Sequence, residues 1–286
     1  MNINSTSPDK HKYLKVLSQI DKPVKKVFYT GDLPTNRMPT VAIVGARKPT
    51  TYGRDTTYKL ATELVKKGIV IVSGLALGVD GIAHAAACDA GGITLAVLPS
   101  GLPRIYPSSH RALAERILET GGALISEYDA DTTNAYQSNF LERNRIVSGL
   151  ADAILITEAA ARSGTLNTTA HALAQGKEIF VVPGNIRSPM SAGCNALIKQ
   201  GAHIVTDVND IIERIAPQLL QRQATLNLGS NPAETAIIAQ LQAGVRDGDE
   251  IQRVTELPST EFNTSLTMLE VQGTIRALGA NQWTLL

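Results

Sequence analysis

The segment FLERNRIV combines residue types that recognise nucleic acids. Its candidates are Phe140, Arg143, Asn144 and Arg145. Guanidinium groups bind phosphates through paired hydrogen bonds, and an aromatic ring stacks on an unpaired base. The alternative is a salt-bridged helix with Phe140 in the core. On a helix, Arg143 and Arg145 point roughly 200° apart, so we expect only one of them to face a ligand.

Turns rich in glycine and hydroxyl residues follow several predicted strands. Glycine lets the backbone approach a ligand, and the amides at the start of a helix attract anions. The candidates are Gly45 and Arg47 after the first strand, Ser73 and Gly74 after the second, and Ser163, Gly164 and Thr165 after the fifth. The alternatives are that Arg47 simply faces solvent and that the Ser163 turn only caps a helix. Convergence of these turns on one sheet edge predicts a site for a phosphate-bearing ligand.

Residue sets typical of catalysis or metal binding do not emerge from the sequence. Ser73 lies outside a GxSxG motif, and the turn after the first strand lacks the GxGxxG of dinucleotide-binding proteins. Asp80 and His84 are four residues apart on a predicted helix and can hydrogen-bond, and we interpret them as structural. The turn-rich loop 99–107 predicts a wall of the cleft, with Arg104 left open as a ligand. We therefore expect a binding protein without a cofactor, a metal or a catalytic group.

Apolar runs that alternate with helical patterns must position these residues. The predicted strands are 41–45, 69–72, 94–98, 123–125, 153–156, 179–182 and 203–205, and helices are predicted between them. Strands this apolar are covered on both faces and are therefore parallel. The repeated units predict an α/β fold, an extended Rossmann-like doubly wound and mostly parallel sheet. Ligands bind such sheets beyond the carboxyl ends of the strands.

The chain divides into four predicted parts. These are a short basic N-terminal segment at 1–36, a Rossmann-like domain at 37–220, a polar linker at 221–232, and a small C-terminal domain at 233–286. The C-terminal domain reads as helices over 233–241, 247–257 and 259–272 followed by a hairpin, which is a winged-helix pattern. Its third helix carries Glu261 and Glu270 and no Lys or Arg. This charge favours a protein-contact module over a DNA reader.

Charge and composition limit the classes of protein further. The formal net charge is +1, which excludes a globally basic nucleic-acid binder and requires a local patch. The first 37 residues hold seven basic against three acidic residues, and we interpret this segment as a solvated arm. The two cysteines make no disulfide framework, and the sequence shows no signal peptide and no membrane span. A cytoplasmic location is expected.

Several long motifs of this chain resemble the DNA-processing protein A family, DprA, also called Smf. They are VAIVGAR, SGLALGVDGIAH, TLAVLPSGLPRIYP, FLERNRIVSGL, TEAAARSGTLNTTAHALAQGK, FVVPGN and GCNALIKQGA, which occur in the family's order and spacing. The resemblance runs from about Val27 to Ile215, and residues 233–286 also resemble the family's winged-helix domain. Leu141 stands where the family has proline, and residues 1–36 are too short for the N-terminal domain that many members carry.

The resemblance implies a protein that binds single-stranded DNA and loads RecA recombinase onto it during natural transformation and recombination. It also implies a homodimer formed through the Rossmann domain and displacement of single-strand-binding protein. The carried-over pocket residues are Arg47, Ser73, Gly74, Arg143, Asn144, Arg145, Ser163, Gly164 and Thr165. Lys177 lies where the family often has a basic residue.

The sequence leaves three competing functions open. The first is that of the cytokinin-activating nucleotide phosphoribohydrolases, which share this arrangement of loops after strands and carry a Pro-Gly-Gly-x-Gly-Thr-x-x-Glu signature. Here Thr168, or Asn167 in a shifted register, takes the place of the catalytic glutamate. An enzyme without its general acid and base is disfavoured. The second is a Rossmann-fold nucleotide sensor without turnover, and the third is a protein–protein scaffold.

Overall fold

The computed structural model describes residues 2–132, 136–220 and 230–285. The chain forms two compact units, Met1–Ala216 and Pro217–Leu286. Most of the predicted linker, 221–229, lies outside the described residues, as does part of the polar loop predicted at 129–139. Nowhere in the described ranges is a helix long and apolar enough to span a membrane.

A nine-stranded sheet forms the centre of the first unit within the described ranges. Its strands are β1 (Asn4–Thr6), β2 (Val27–Gly31), β3 (Thr40–Val44), β4 (Val70–Ser73), β5 (Thr94–Val97), β6 (Ala123–Ser126), β7 (Ala153–Ile156), β8 (Glu178–Val181) and β9 (His203–Ile204). Their order is β1-β2-β6-β5-β4-β3-β7-β8-β9. Strands β3 to β9 pair in parallel, and β1 and β2 pair antiparallel. The predicted mostly parallel α/β fold is confirmed.

Helices cover the sheet between its parallel strands. They are α1 (Thr51–Lys66), α2 (Val79–Asp89), α3 (Arg111–Glu119), α4 (Gln137–Leu150), α5 (Thr165–Ala174), α6 (Ala192–Lys199) and α7 (Asn209–Ile215). All five residues of β3 are buried, and so are all four of β4, β5, β6 and β7, as strands covered on both faces require. The strand order reverses between β3 and β7, which opens a crevice at their carboxyl ends.

The N-terminal segment is packed into the first unit, so the interpretation as a solvated arm is wrong. Tyr13, Leu14 and Leu17 are fully buried and belong to the hydrophobic cluster on one face of the sheet. The Tyr13 hydroxyl lies 2.8 Å from Oγ1 of Thr40. Short 3₁₀ turns and exposed lysines obscured these apolar positions in the sequence. The charge pattern therefore described only the outer face of the segment.

The second unit is a winged helix, as predicted. It contains α8 (Pro232–Gln242), α9 (Gly248–Thr255), α10 (Ser259–Val271), and the hairpin of β10 (Ile275–Gly279) and β11 (Gln282–Leu285). The side chains of Asn231 and Asp247 cap α8 and α9. Ile237, Phe262 and Leu269 are at most 3% exposed and belong to its core cluster.

Candidate nucleic-acid interface

A cleft of about 320 Å³ opens at the switch point of the sheet. Loops after β3, β4 and β7 line it, together with α4 and the first residues of α5. It brings together nine of the predicted residues, which are Gly45, Arg47, Gly74, Phe140, Arg143, Asn144, Ser163, Gly164 and Thr165. The convergence of separate turns that the sequence indicated is therefore present in the structure.

At the start of the turn after β3, neighbouring atoms leave room only for a glycine. A Cβ atom on Gly45 would lie 2.7 Å from the carbonyl oxygen of Glu158. The next amide, on Ala46, donates to that same oxygen over 2.8 Å. These contacts fix the backbone immediately before Arg47, whose side chain is exposed at the cleft. Packing between the turns that follow β3 and β7 thus fixes the backbone from which the Arg47 side chain extends.

The amino end of α5 supplies the opposite part of the cleft. The Ser163 hydroxyl donates to Thr165 Oγ1 over 2.8 Å and accepts the Thr165 amide over 3.2 Å. Gly164 is exposed, and a Cβ atom there would meet no atom within 4 Å, so its backbone is open to a ligand. Asn144 donates from Nδ2 to Oδ1 of Asn167 over 3.0 Å, which joins α4 to α5 beside this turn.

Arg143 lies in the floor of the cleft and is only 4% exposed. Its Nη1 donates to the carbonyl oxygens of Gly74 and Val97, at the ends of β4 and β5. Burial lowers the pKa of Arg143 to about 10, and the charge of Asp80 opposes that shift. A Cβ atom on Gly74 would lie 2.1 Å from the guanidinium. The structure therefore gives Arg143 a packing role that the sequence did not reveal.

Asp80 and His84 do not bond to each other. Asp80 accepts the Gly74 amide over 3.1 Å, and burial raises the pKa of this carboxyl. His84 pairs through Nδ1 with Thr94 Oγ1 over 2.7 Å, and burial lowers its pKa to about 3. The structural interpretation of both residues agrees with these contacts, and the hydrogen bond between them is absent.

Three predicted site residues lie outside the cleft. Ser73 is fully buried and donates to the Ile43 carbonyl oxygen over 2.6 Å. Arg145 points away from Arg143, as expected for residues two apart on a helix, and both Glu127 oxygens accept from its Nη2. Lys177 precedes β8, so it lies at the amino ends of the parallel strands, on the edge opposite to the cleft.

Arg162 is a cleft residue that sequence reasoning left out. It is exposed, and it directly precedes the Ser163 turn. Among the described residues that line the cleft, Arg47 and Arg162 are the exposed cations. A basic residue next to a Ser-Gly-Thr helix start was the signal that could have identified it.

These features define a Rossmann-like protein with a cleft lined by two exposed arginines at the switch point of its sheet, followed by a winged helix. The chain belongs to the DNA recombination-mediator protein A family, whose sequence profile matches residues 4–216. The profile of the DprA winged helix domain matches residues 221–281. Both matches agree with the resemblance found in the sequence motifs.

Individual similar proteins and solved structures support this assignment. Protein Smf of Escherichia coli is 39% identical over 275 residues, which cover 92% of this chain and 72% of that protein. The structure of DNA processing protein A from Streptococcus pneumoniae has a TM-score of 0.69 and 35% identity, with 75% of each chain covered. The structure of DNA processing protein A from Helicobacter pylori, described for its single-stranded DNA binding mode, is also similar. It has a TM-score of 0.66 and 32% identity, and the match covers 78% of this chain and 97% of the Helicobacter pylori chain.

Proposed function

We propose that this chain binds single-stranded DNA, without catalysis, by holding backbone phosphates in the cleft. The observation that carries the proposal is the pairing of exposed Arg47 and Arg162 with the open amino end of α5. Guanidinium groups and helix amides are the donors that phosphate oxygens accept best. Phosphates are common to every nucleotide, so binding is independent of sequence. The single-stranded DNA binding mode described for the Helicobacter pylori relative supports the same ligand here.

Replacement of Arg47 tests the phosphate contact. We expect Arg47→Gln to weaken binding of a labelled poly-dT oligonucleotide by about 1–3 kcal/mol, roughly 5- to 150-fold in Kd, because a charge-assisted hydrogen bond is lost. Fluorescence anisotropy at two salt concentrations measures this. The affinity of the unaltered chain falls as salt rises, and the variant shows a shallower dependence because it releases fewer counterions. A matching duplex binds more weakly than the single strand.

Arg253→Gln is the matched control because it removes the same charge from an exposed position in the winged helix. We expect it to bind poly-dT like the unaltered chain. Unchanged affinity in Arg47→Gln would contradict the assigned cleft. A tightly bound nucleoside monophosphate that raises the melting temperature, without any oligonucleotide binding, would favour the nucleotide sensor instead.

Membership of the family supports a proposal about the partners of this chain. We propose that the chain loads RecA recombinase onto bound single strands in the cytoplasm during transformation or recombination. We also propose a homodimer through the Rossmann-like unit and displacement of single-strand-binding protein. RecA filament assembly on DNA coated with single-strand-binding protein tests loading, and light scattering of the purified chain tests the dimer. Loss of RecA stimulation in Arg47→Gln would show that loading depends on the cleft.

Thr168 is the residue on which the phosphoribohydrolase alternative depends. This residue takes the place of the phosphoribohydrolase glutamate, and it is buried against the cleft. Asp80 is the only carboxylate among the described residues of the lining, and its side chain accepts the Gly74 amide. Within the described ranges, no group of three or more His, Cys, Asp or Glu residues is arranged to hold a metal ion.

A further inference from the structure

An exposed aromatic ring lies next to the cleft, on the loop after β5. Tyr106 is 48% exposed although it is a large and partly apolar side chain. Its ring centroid is 5.2 Å from that of Phe140, with an angle of 72° between the ring planes. Phe140 is half-buried and lines the cleft. The two rings therefore continue the cleft wall outward as an aromatic surface.

The loop that carries Tyr106 is held in place on both sides of its turn. Ser126 donates to the Ser100 carbonyl oxygen over 2.7 Å. Leu102 and Ile105 are buried in the cluster beneath the loop. Tyr106 follows Ile105 directly, so its backbone is anchored while its ring faces solvent. A ring that is already positioned loses little conformational entropy when a ligand packs on it.

Position and chemistry together select one kind of ligand. Single-strand-binding surfaces combine cations that hold the backbone with aromatic rings on which bases stack. The cations of this cleft are Arg47 and Arg162, and Phe140 connects the cleft to Tyr106. We propose that Tyr106 is a stacking site for an unpaired base of the strand whose phosphates occupy the cleft. This inference rests on the proposed function and adds a base contact to it.

The test compares a dT oligonucleotide with an abasic oligonucleotide of the same length and backbone. Tyr106→Ala should weaken dT binding roughly 5- to 150-fold, the effect of losing one stacked base. The same change should leave binding of the abasic strand unaltered, because that strand has no base to stack. Tyr106→Phe should bind both strands like the unaltered chain, since it keeps the aromatic face.

Tyr58→Ala is the matched control. Tyr58 is 44% exposed on α1, and its hydroxyl donates to Asp89 Oδ2 over 2.9 Å, away from the cleft lining. It should not change the affinity for either strand. Circular dichroism and melting temperature establish that each variant is folded.

A second measurement reports on the stack itself. In Tyr106→Trp, the dT strand should quench the new indole fluorescence, and the abasic strand should not. Trp283 is the only natural tryptophan, and the unaltered chain supplies its background.

Two results would overturn the stacking site alone. They are equal losses by Tyr106→Ala on both strands, and no loss on either strand while Arg47→Gln still weakens binding. Absence of single-strand binding by the unaltered chain would instead overturn the proposed function, and this site with it. The two failures are therefore distinguishable.

Discussion

Arg47 and Arg143 carry the same guanidinium group in opposite environments. Arg47 is exposed at the cleft, whereas Arg143 is 4% exposed and donates to two strand-end carbonyl oxygens. Removing an exposed charge changes what the surface attracts. Removing a buried one leaves its acceptors and the nearby Asp80 without compensation. The two arginines should therefore respond differently to the same substitution.

We expect Arg143→Met to lower the free energy of unfolding by about 3 kcal/mol or more, because two buried carbonyl groups lose their donor and the buried Asp80 carboxyl loses a nearby positive charge. Urea denaturation measures this loss, and Arg47→Met is the control, with a change within about 0.5 kcal/mol. A fully stable Arg143→Met protein that no longer binds poly-dT would instead make Arg143 a direct phosphate ligand.

The direction and periodicity of each element decide which residues meet. Residues at the carboxyl ends of β3, β4 and β7 share one edge because these strands are parallel. Lys177 comes before its strand and therefore lies at the other edge. Arg145 shares α4 with Arg143 but faces Glu127. The position of a basic residue within its helix or strand, and not its charge alone, thus determines whether it reaches the cleft.

The N-terminal segment is an element whose packing the charge pattern concealed. We expect Leu17→Ala to lower the free energy of unfolding by about 2–5 kcal/mol, because it opens a cavity among fully buried side chains. Lys15→Ala, on the exposed side of the same turn, is the control. Chemical denaturation compares the two, and equal small effects would mean that the segment contributes little to the core.

The two units carry different charge, although the whole chain is nearly neutral. Residues 217–286 hold seven acidic against four basic residues, and the exposed cleft cations belong to the first unit. An acidic surface repels phosphates. We therefore place the proposed DNA-binding activity in the first unit, and we propose that the winged helix contacts protein.

A chain of residues 1–220 should bind poly-dT with the affinity of the full chain, because the acidic unit adds no phosphate contact. Anisotropy measures the affinity, and circular dichroism shows whether the shortened chain is folded. A loss of tenfold or more in a folded 1–220 chain would assign DNA contacts to the winged helix.

Local patterns in the sequence were sufficient to predict the doubly wound sheet, the winged helix and most of the cleft. Apolar strands and helical periods are local patterns, and parallel strands carry their terminal turns to one edge. These patterns brought Gly45, Arg47 and the Ser163 turn to the edge where the cleft lies, and they predicted that Arg143 and Arg145 diverge.

Which charged groups face solvent depends on how distant parts of the chain pack together. Burial depends on neighbours that are distant in sequence, as when the ends of β4 and β5 enclose Arg143 or when Tyr13 meets Thr40. The exposure of Arg162 and the contact of Tyr106 with Phe140 likewise arise between separate loops. A local sequence pattern shows which chemical groups are present, whereas tertiary packing determines which of them a ligand can reach.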